Sequence, residues 1–107
     1  MSELVKSKQA LKDSSRAEEQ LQPPSDYAVI LHNDDYTTMA FVIDVLQKFF
    51  AKNLAEAEEL MLIVHHRGEG IAGIYPLEIA EMRVLQVEEY AYDNSQPLQV
   101  SMRRLED

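Results

Sequence analysis

The clearest pattern along this chain is an apolar run, then a polar interval, then apolar positions at helical spacing. Residues 27–31 read Tyr-Ala-Val-Ile-Leu, which is typical of a buried strand, so we predict a strand over about 27–32. Apolar residues return between positions 39 and 50, and Thr37 is a suitable N-cap just before them. The helical face predicted there consists of Val42, Val45, Leu46 and Phe49.

A second helix is predicted directly after the first. Asn53 with Glu56 three residues later resembles a capping box, and Gly68 and Gly70 are suited to the helix end. The apolar face at helical spacing consists of Ala57, Leu60, Met61 and Val64.

The remainder predicts a strand, a third helix and a last strand. The short strand covers residues 71–75, and Pro76 suits the first turn of the helix that follows. The core face of that helix consists of Ala80, Val84, Val87 and Ala91. Residues 93–97 are turn formers, and a half-buried strand follows in which Leu98, Val100 and Met102 alternate with polar residues.

This order, β-α-α-β-α-β, predicts an α+β fold, an α/β sandwich in one domain. We expect a three-stranded antiparallel sheet with three helices on one side of it, over residues 26–107. Residues 1–25 are rich in Lys, Ser, Gln and Glu and end near two prolines, so we predict a flexible N-terminal extension.

Charge narrows the possible partners. Residues 1–25 hold four basic and four acidic side chains, so the other residues, with six basic against fifteen acidic, carry the whole net charge of −9. Such a surface repels phosphate backbones and matches a cationic group better, although it can also serve solubility alone. We therefore expect no nucleic-acid partner, and because the chain has no apolar run long enough for a membrane span, we expect no membrane partner either. The chain also has no cysteine, which rules out a disulfide and a thiolate ligand.

Neither catalysis nor metal binding is favoured by the spacing of the polar residues. Asp34 and Asp35 are adjacent and would diverge on an extended segment, and no nucleophile is paired with a base. His65 and His66 would project about 100° apart on a helix, so they cannot both face one ion well. A small hydrolase or metalloprotein built on His32, the two aspartates and these histidines stays open as an alternative, but we expect no enzyme, no metal and no cofactor.

The polar interval and the two helices suggest a binding hollow. Asn33 and Asp34 offer acceptors at a junction between strand and helix, and His65 could line a pocket, cap its helix or lie in solvent. Met39 and Val42 lie one turn apart, as do Met61 and Val64. If the helices pack side by side, these residues form an apolar hollow rimmed by acceptors, suited to a peptide's free amino terminus with a large first side chain.

The residues of this interval and of the second helix also carry a family resemblance. Several segments resemble the ClpS adaptors: residues 23–25, the stretch 29–37, the helix at 39–50, residues 60–65 with Gly68, and Gly73 with residues 78–84. The similarity covers about residues 23–102. It implies a monomeric cytoplasmic adaptor that delivers N-end-rule substrates to the ClpA-type unfoldase of ClpAP and modulates the substrate choice of ClpA. A domain like that of the ribosomal stalk is a third alternative, supported only by shape.

The resemblance also implies roles for individual residues. Asn33 and His65, with help from Asp34, would bind the substrate's α-amino group. The preferred first residues would be Leu, Phe, Tyr and Trp, as in the family, and Met39 would exclude β-branched first residues. The implied pocket for the first side chain consists of Leu31, Asp35, Thr37, Met39, Val42, Met61, Val64 and Leu98.

A second surface and two departures complete the resemblance. Glu78, Arg83 and Glu81 would face the N-terminal domain of the unfoldase, and residues 1–25 would engage the unfoldase during hand-off. Thr38 stands where many relatives have proline, which we expect to loosen the first helical turn slightly. His66 stands where relatives vary, and it could compete with His65 at the rim.

Overall fold

A computed structural model describes residues 25–106 of the chain. A three-stranded antiparallel sheet consists of β1 (Asp26–His32), β2 (Glu69–Pro76) and β3 (Gln99–Arg104), with β1 in the centre. Three helices complete the order β-α-α-β-α-β, namely α1 (Met39–Phe49), α2 (Leu54–Arg67) and α3 (Leu77–Asp93). The predicted fold class is therefore confirmed, while the predicted extension over residues 1–25 lies outside the described residues except for Ser25.

The central strand is buried over four consecutive residues, 28–31, and two alternate residues of that run belong to the main core cluster. Val29 and Leu31 are fully buried and belong to the same cluster as Val100 on β3. The helices contribute most of the rest of this cluster, mainly through Val45 and Leu46 of α1 and through buried residues of α2 and α3. The β1 end that carries Leu31 and His32 leads directly into the polar interval, which places that interval beside the helices.

The helix caps largely follow the sequence. Asn53 and Glu56 exchange both hydrogen bonds of the predicted capping box, at 2.8 and 2.9 Å. Gly68 ends α2 with a φ of +91°, the left-handed conformation that glycine adopts without a steric penalty. Pro76 occupies the N-cap position of α3, one residue before the predicted one.

The predicted N-cap of α1 is wrong by one residue. Thr38, not Thr37, caps the helix, because its side-chain oxygen accepts a hydrogen bond from the Phe41 backbone N–H at 3.1 Å. The Thr37 hydroxyl instead donates to Asp34. Two neighbouring threonines can each cap a helix, and the loop's own hydrogen bonds decide between them.

The core includes two aromatic residues that the periodicity missed, Phe41 and Phe50. Phe41 is buried, and its ring stacks on Tyr90 of α3 at 5.3 Å between centroids. The Tyr90 hydroxyl donates to the Asp44 carboxylate, and this hydrogen bond raises the pKa of Tyr90. Three predicted core residues, Phe49, Leu60 and Val84, pack at the edge of the core and are only partly buried. The strand β2 is also longer than predicted and begins at Glu69.

Candidate functional site

A hollow of about 420 Å³ opens where the β1–α1 loop faces α2. It brings together most of the residues predicted to bind a ligand. Its lining consists of Asn33, Asp34, Asp35, Tyr36, Thr37, Thr38, Met39, Val42, Met61, Val64 and His65. One wall is therefore a polar loop and the other is a helix.

Asp34 organises the loop through three hydrogen bonds. Its Oδ1 accepts from the backbone N–H groups of Tyr36 and Thr37 at 2.8 and 2.7 Å, and its Oδ2 accepts from the Thr37 hydroxyl at 2.7 Å. Burial alone would raise the pKa of Asp34, but these hydrogen bonds to the charged form prevail and lower it. The carboxylate thus folds the chain back on itself in the manner of an Asx turn.

One backbone hydrogen bond connects the two walls. The Asn33 N–H donates to the Gly68 carbonyl at 2.9 Å, which attaches the start of the loop to the end of α2. His65 lies in the last turn of that helix. Asn33 and His65 are both exposed and both line the same hollow.

The floor of the hollow is apolar, and an unbranched side chain, that of Met39, lies at its mouth. Val42, Met61 and Val64 are buried to between 2 and 8% exposure. Met39 is 48% exposed at the first position of α1. An unbranched thioether side chain at that place can adapt its shape to what enters.

Two predicted pocket residues do not line the hollow. Leu31 and Leu98 are 0% and 6% exposed and belong to the core cluster behind it. Conversely, Tyr36 and Thr38 line the hollow but were not predicted as pocket residues. Their position in the sequence could have indicated this. Residues in the middle of a short loop lie close to a pocket when the residues at both ends of the loop line it.

His66 lies beside His65 but is not part of the lining. The two exposed rings meet edge to face at 5.2 Å between centroids. That only His65 lines the hollow agrees with the expectation that consecutive helical histidines project in different directions.

The three residues predicted for a second surface lie on α3. Glu78 and Glu81 are exposed, whereas Arg83 is partly buried. The Arg83 guanidinium lies 5.6 Å from the centre of the Tyr75 ring, and its Nη1 donates to Gln86 at 3.0 Å. These contacts orient Arg83 along the helix surface.

Two further observations concern the part of the chain that the structure describes. Among residues 25–106, His, Cys, Asp and Glu side chains nowhere gather in a group of three that could hold a metal ion. Within the same range, the helices lack the length and apolarity that a membrane crossing requires.

Comparisons with known proteins agree on one family. Residues 22–101 match the model of the family described as ATP-dependent Clp protease adaptor protein ClpS. The chain is 55% identical over 89 residues to the ATP-dependent Clp protease adapter protein ClpS of Shewanella loihica, covering 83% of this chain and 87% of that protein. It is 50% identical over 91 residues to the protein of the same name from Pectobacterium carotovorum, covering 85% and 86%.

A solved structure supports the same assignment. The structure of Agrobacterium tumefaciens ClpS2 bound to L-phenylalaninamide superposes with a TM-score of 0.75 at 26% identity, and the match covers 78% of this chain and all of that one. The sequence match, the fold and the identity to two relatives lead to one conclusion. This chain belongs to the ClpS family of Clp protease adaptor proteins.

Proposed function

We propose that this chain binds the free amino terminus of proteins that begin with Leu, Phe, Tyr or Trp and delivers them to a ClpA-type unfoldase. One observation carries the proposal: a single hollow has exposed amide and imidazole groups at its rim and an apolar floor. An N-terminal residue is the one part of a protein that combines a cationic amine with a side chain on the same carbon.

The amino group would be bound at the rim. The Asn33 side-chain oxygen and an unprotonated His65 ring nitrogen can each accept a hydrogen bond from an ammonium group. Such charge-assisted bonds contribute about 1.5–3 kcal/mol each before ordering costs. The net charge of −9 would favour the approach of that cation.

Asp35 is better placed than Asp34 to add a third contact. Both oxygens of Asp34 already accept hydrogen bonds within the loop, whereas Asp35 is exposed in the same lining. We therefore propose that Asp34 contributes to binding of the α-amino group indirectly, by holding the loop in shape.

The first side chain would occupy the apolar floor between Val42, Met61 and Val64. Burying one Leu or Phe side chain there contributes about 1.5–3 kcal/mol. Met39 at the mouth would disfavour a branch at Cβ, since a β-branched side chain is widest near its backbone. The ligand of the Agrobacterium relative, L-phenylalaninamide, presents the same pair of groups, a free amine and a benzyl side chain.

Delivery would use the α3 surface. The exposed Glu78 and Glu81 and the oriented Arg83 offer charges of both signs for the N-terminal domain of the unfoldase. The adaptor would act as a monomer and would do no chemistry on its substrate. It would also bias the unfoldase toward these substrates over others.

The decisive experiment compares a short Phe-initiated peptide with its acetylated twin by fluorescence titration. We expect micromolar or tighter binding of the free peptide and a loss of about 100-fold on acetylation, because one or two charge-assisted bonds disappear. Asn33→Ala and His65→Ala should each weaken binding about tenfold or more with unchanged thermal unfolding. His66→Ala is the matched control, and equal binding of both peptides would refute the proposal.

Delivery is tested in the same series by degradation of a Phe-initiated protein with purified ClpAP. Glu78→Ala should slow degradation while the peptide titration stays unchanged. A Glu78→Ala variant that delivers as well as the unchanged chain would rule out this surface.

A further inference from the structure

One long-range hydrogen bond connects the loop of the hollow to a distant turn. The Thr38 backbone N–H donates to Oε1 of Gln96 at 3.2 Å, across 58 positions of sequence. Thr38 is also the N-cap of α1, and Met39 begins that helix at the mouth of the hollow. Gln96 itself is outside the lining.

The backbone at Gln96 is anchored on both sides. Its N–H donates to the Ala91 carbonyl at 2.9 Å, and Ser95 before it has a φ of +57°, which reverses the chain at the end of α3. Ala91 and Leu98, on either side of the turn, are buried in the core at 2% and 6% exposure. The Gln96 side chain therefore starts from a fixed point of the fold.

Apart from this bond, the hydrogen bonds that hold Thr38 come from α1 itself, where its side chain and its carbonyl accept from N–H groups of the first turn. Thr38 and Met39 are both exposed, so burial contributes little to their position. The Asp34 hydrogen bonds fix the loop up to Thr37 and go no further. The bond to Gln96 continues that support to the residue immediately before Met39.

We propose that Gln96 is a positioning residue for the first-residue pocket, holding Thr38 and thereby Met39 in place through the Thr38 N–H. The proposal rests on the proposed function above. It assigns selectivity at the mouth of the hollow to a residue of the α3–β3 turn that does not touch the ligand.

Thr38 offers a sharp way to remove the donor alone. Its φ of −74° is one that proline adopts, and proline has no N–H. Thr38→Pro therefore removes the bond to Gln96 at little cost in backbone geometry. It also removes the cap on Phe41, but that loss is shared by both members of a double-mutant comparison and cancels there.

The experiment is a titration of Phe- and Val-initiated peptides with four chains: unchanged, Gln96→Ala, Thr38→Pro and the double variant. We expect Gln96→Ala to weaken Phe-peptide binding about three- to tenfold and to narrow the preference for Phe over Val. In the Thr38→Pro background, Gln96→Ala should have no further effect. Two further variants serve as controls. Gln96→Glu keeps an acceptor oxygen and should bind like the unchanged chain, and Gln99→Ala on β3 is the matched control.

A second readout uses the free protein. Hydrogen exchange of the Thr38 amide, followed by NMR, should accelerate in Gln96→Ala and return to normal in Gln96→Glu. Unchanged exchange, or equal losses from Gln96→Ala in both backgrounds, would overturn the positioning role. If the unchanged chain fails to bind the Phe peptide, the proposed function falls; if it binds and Gln96→Ala binds equally well, the Gln96 proposal alone falls.

Discussion

The two walls of the hollow are built by opposite means. The helix wall, which carries Met61, Val64 and His65, belongs to a helix capped at both ends whose apolar face lies in the core. The loop wall, residues 33–39, is mostly exposed and is held by hydrogen bonds that involve Asp34 and Gln96. Stability therefore resides mainly in one wall, and the positions of the polar groups are set mainly in the other.

This difference separates two effects of mutation that often occur together. Changes at the buried residues of the helix wall, Met61 and Val64, should lower the free energy of unfolding and reduce binding as a consequence. Changes in the loop wall should reduce binding while the domain stays folded, because few core contacts are lost. Paired substitutions, one in each wall, test whether that division is real.

The largest contrast is expected between the two methionines. Met61→Ala should destabilise the domain by about 2–5 kcal/mol, because Met61 is 8% exposed and its removal leaves a cavity. Met39→Ala should cost less than about 1 kcal/mol, since Met39 is 48% exposed. Urea unfolding measures both values.

The Met39 variant should also differ in its preference among peptides. Met39→Ala should raise the affinity for a Val-initiated peptide relative to a Phe-initiated one, because the mouth becomes wider. Comparable losses of stability in the two variants would mean that the loop wall is part of the core, contrary to the division proposed here.

Sequence reasoning succeeded where a periodic pattern and a burial requirement agree. The strand at residues 27–32 and the capping box at Asn53 were predictable, because apolar spacing and local hydrogen bonding leave few alternatives. The apolar floor followed from the same periodicity, since Val42, Met61 and Val64 occupy the core faces of their helices.

The loop wall was less predictable because its shape depends on competition among similar polar groups. Thr37 and Thr38 are both good caps, and the choice is made by Asp34, which engages the Thr37 hydroxyl. Gln96 contacts this loop only through the tertiary fold, so no local pattern could reveal it. Leu31 and Leu98 were assigned to the pocket by resemblance, but alternation along β1 and along the strand predicted from Leu98 onward equally allows the core positions that they occupy.

A smaller contrast is expected between Asn53, the polar residue that caps the helix wall, and Asp34, the polar residue that shapes the loop wall. Asn53→Ala should lower the free energy of unfolding by about 1 kcal/mol through loss of the cap, with peptide binding nearly unchanged. Asp34→Ala should weaken Phe-peptide binding about tenfold, equivalent to about 1.4 kcal/mol, because the backbone turn at Tyr36 and Thr37 loses its acceptor. Titration and thermal unfolding of both variants decide the matter, and a reversal of the two effects would contradict the comparison.

The smallest expected effect is the acid response of the loop wall, and its sign follows from Asp34. Hydrogen bonds from Thr37 and Tyr36 lower the pKa of Asp34 below its ordinary value of 3.8, so the folded state favours the carboxylate. The stabilisation is fully present above about pH 4, and it is lost as the pH falls from 3.8 through the lower folded value. In Asp34→Asn the side chain has only one oxygen, so the hydrogen bond from the Thr37 hydroxyl to the second oxygen is lost. This variant should therefore be less stable than the unchanged chain at pH 6, and the difference in stability should be smaller at pH 3. Asp35→Asn, which removes a carboxylate from the same loop without touching these bonds, is the matched control for charge. A stability difference for Asp34→Asn that stays constant between pH 6 and pH 3 would show that the loop does not depend on the ionised carboxylate.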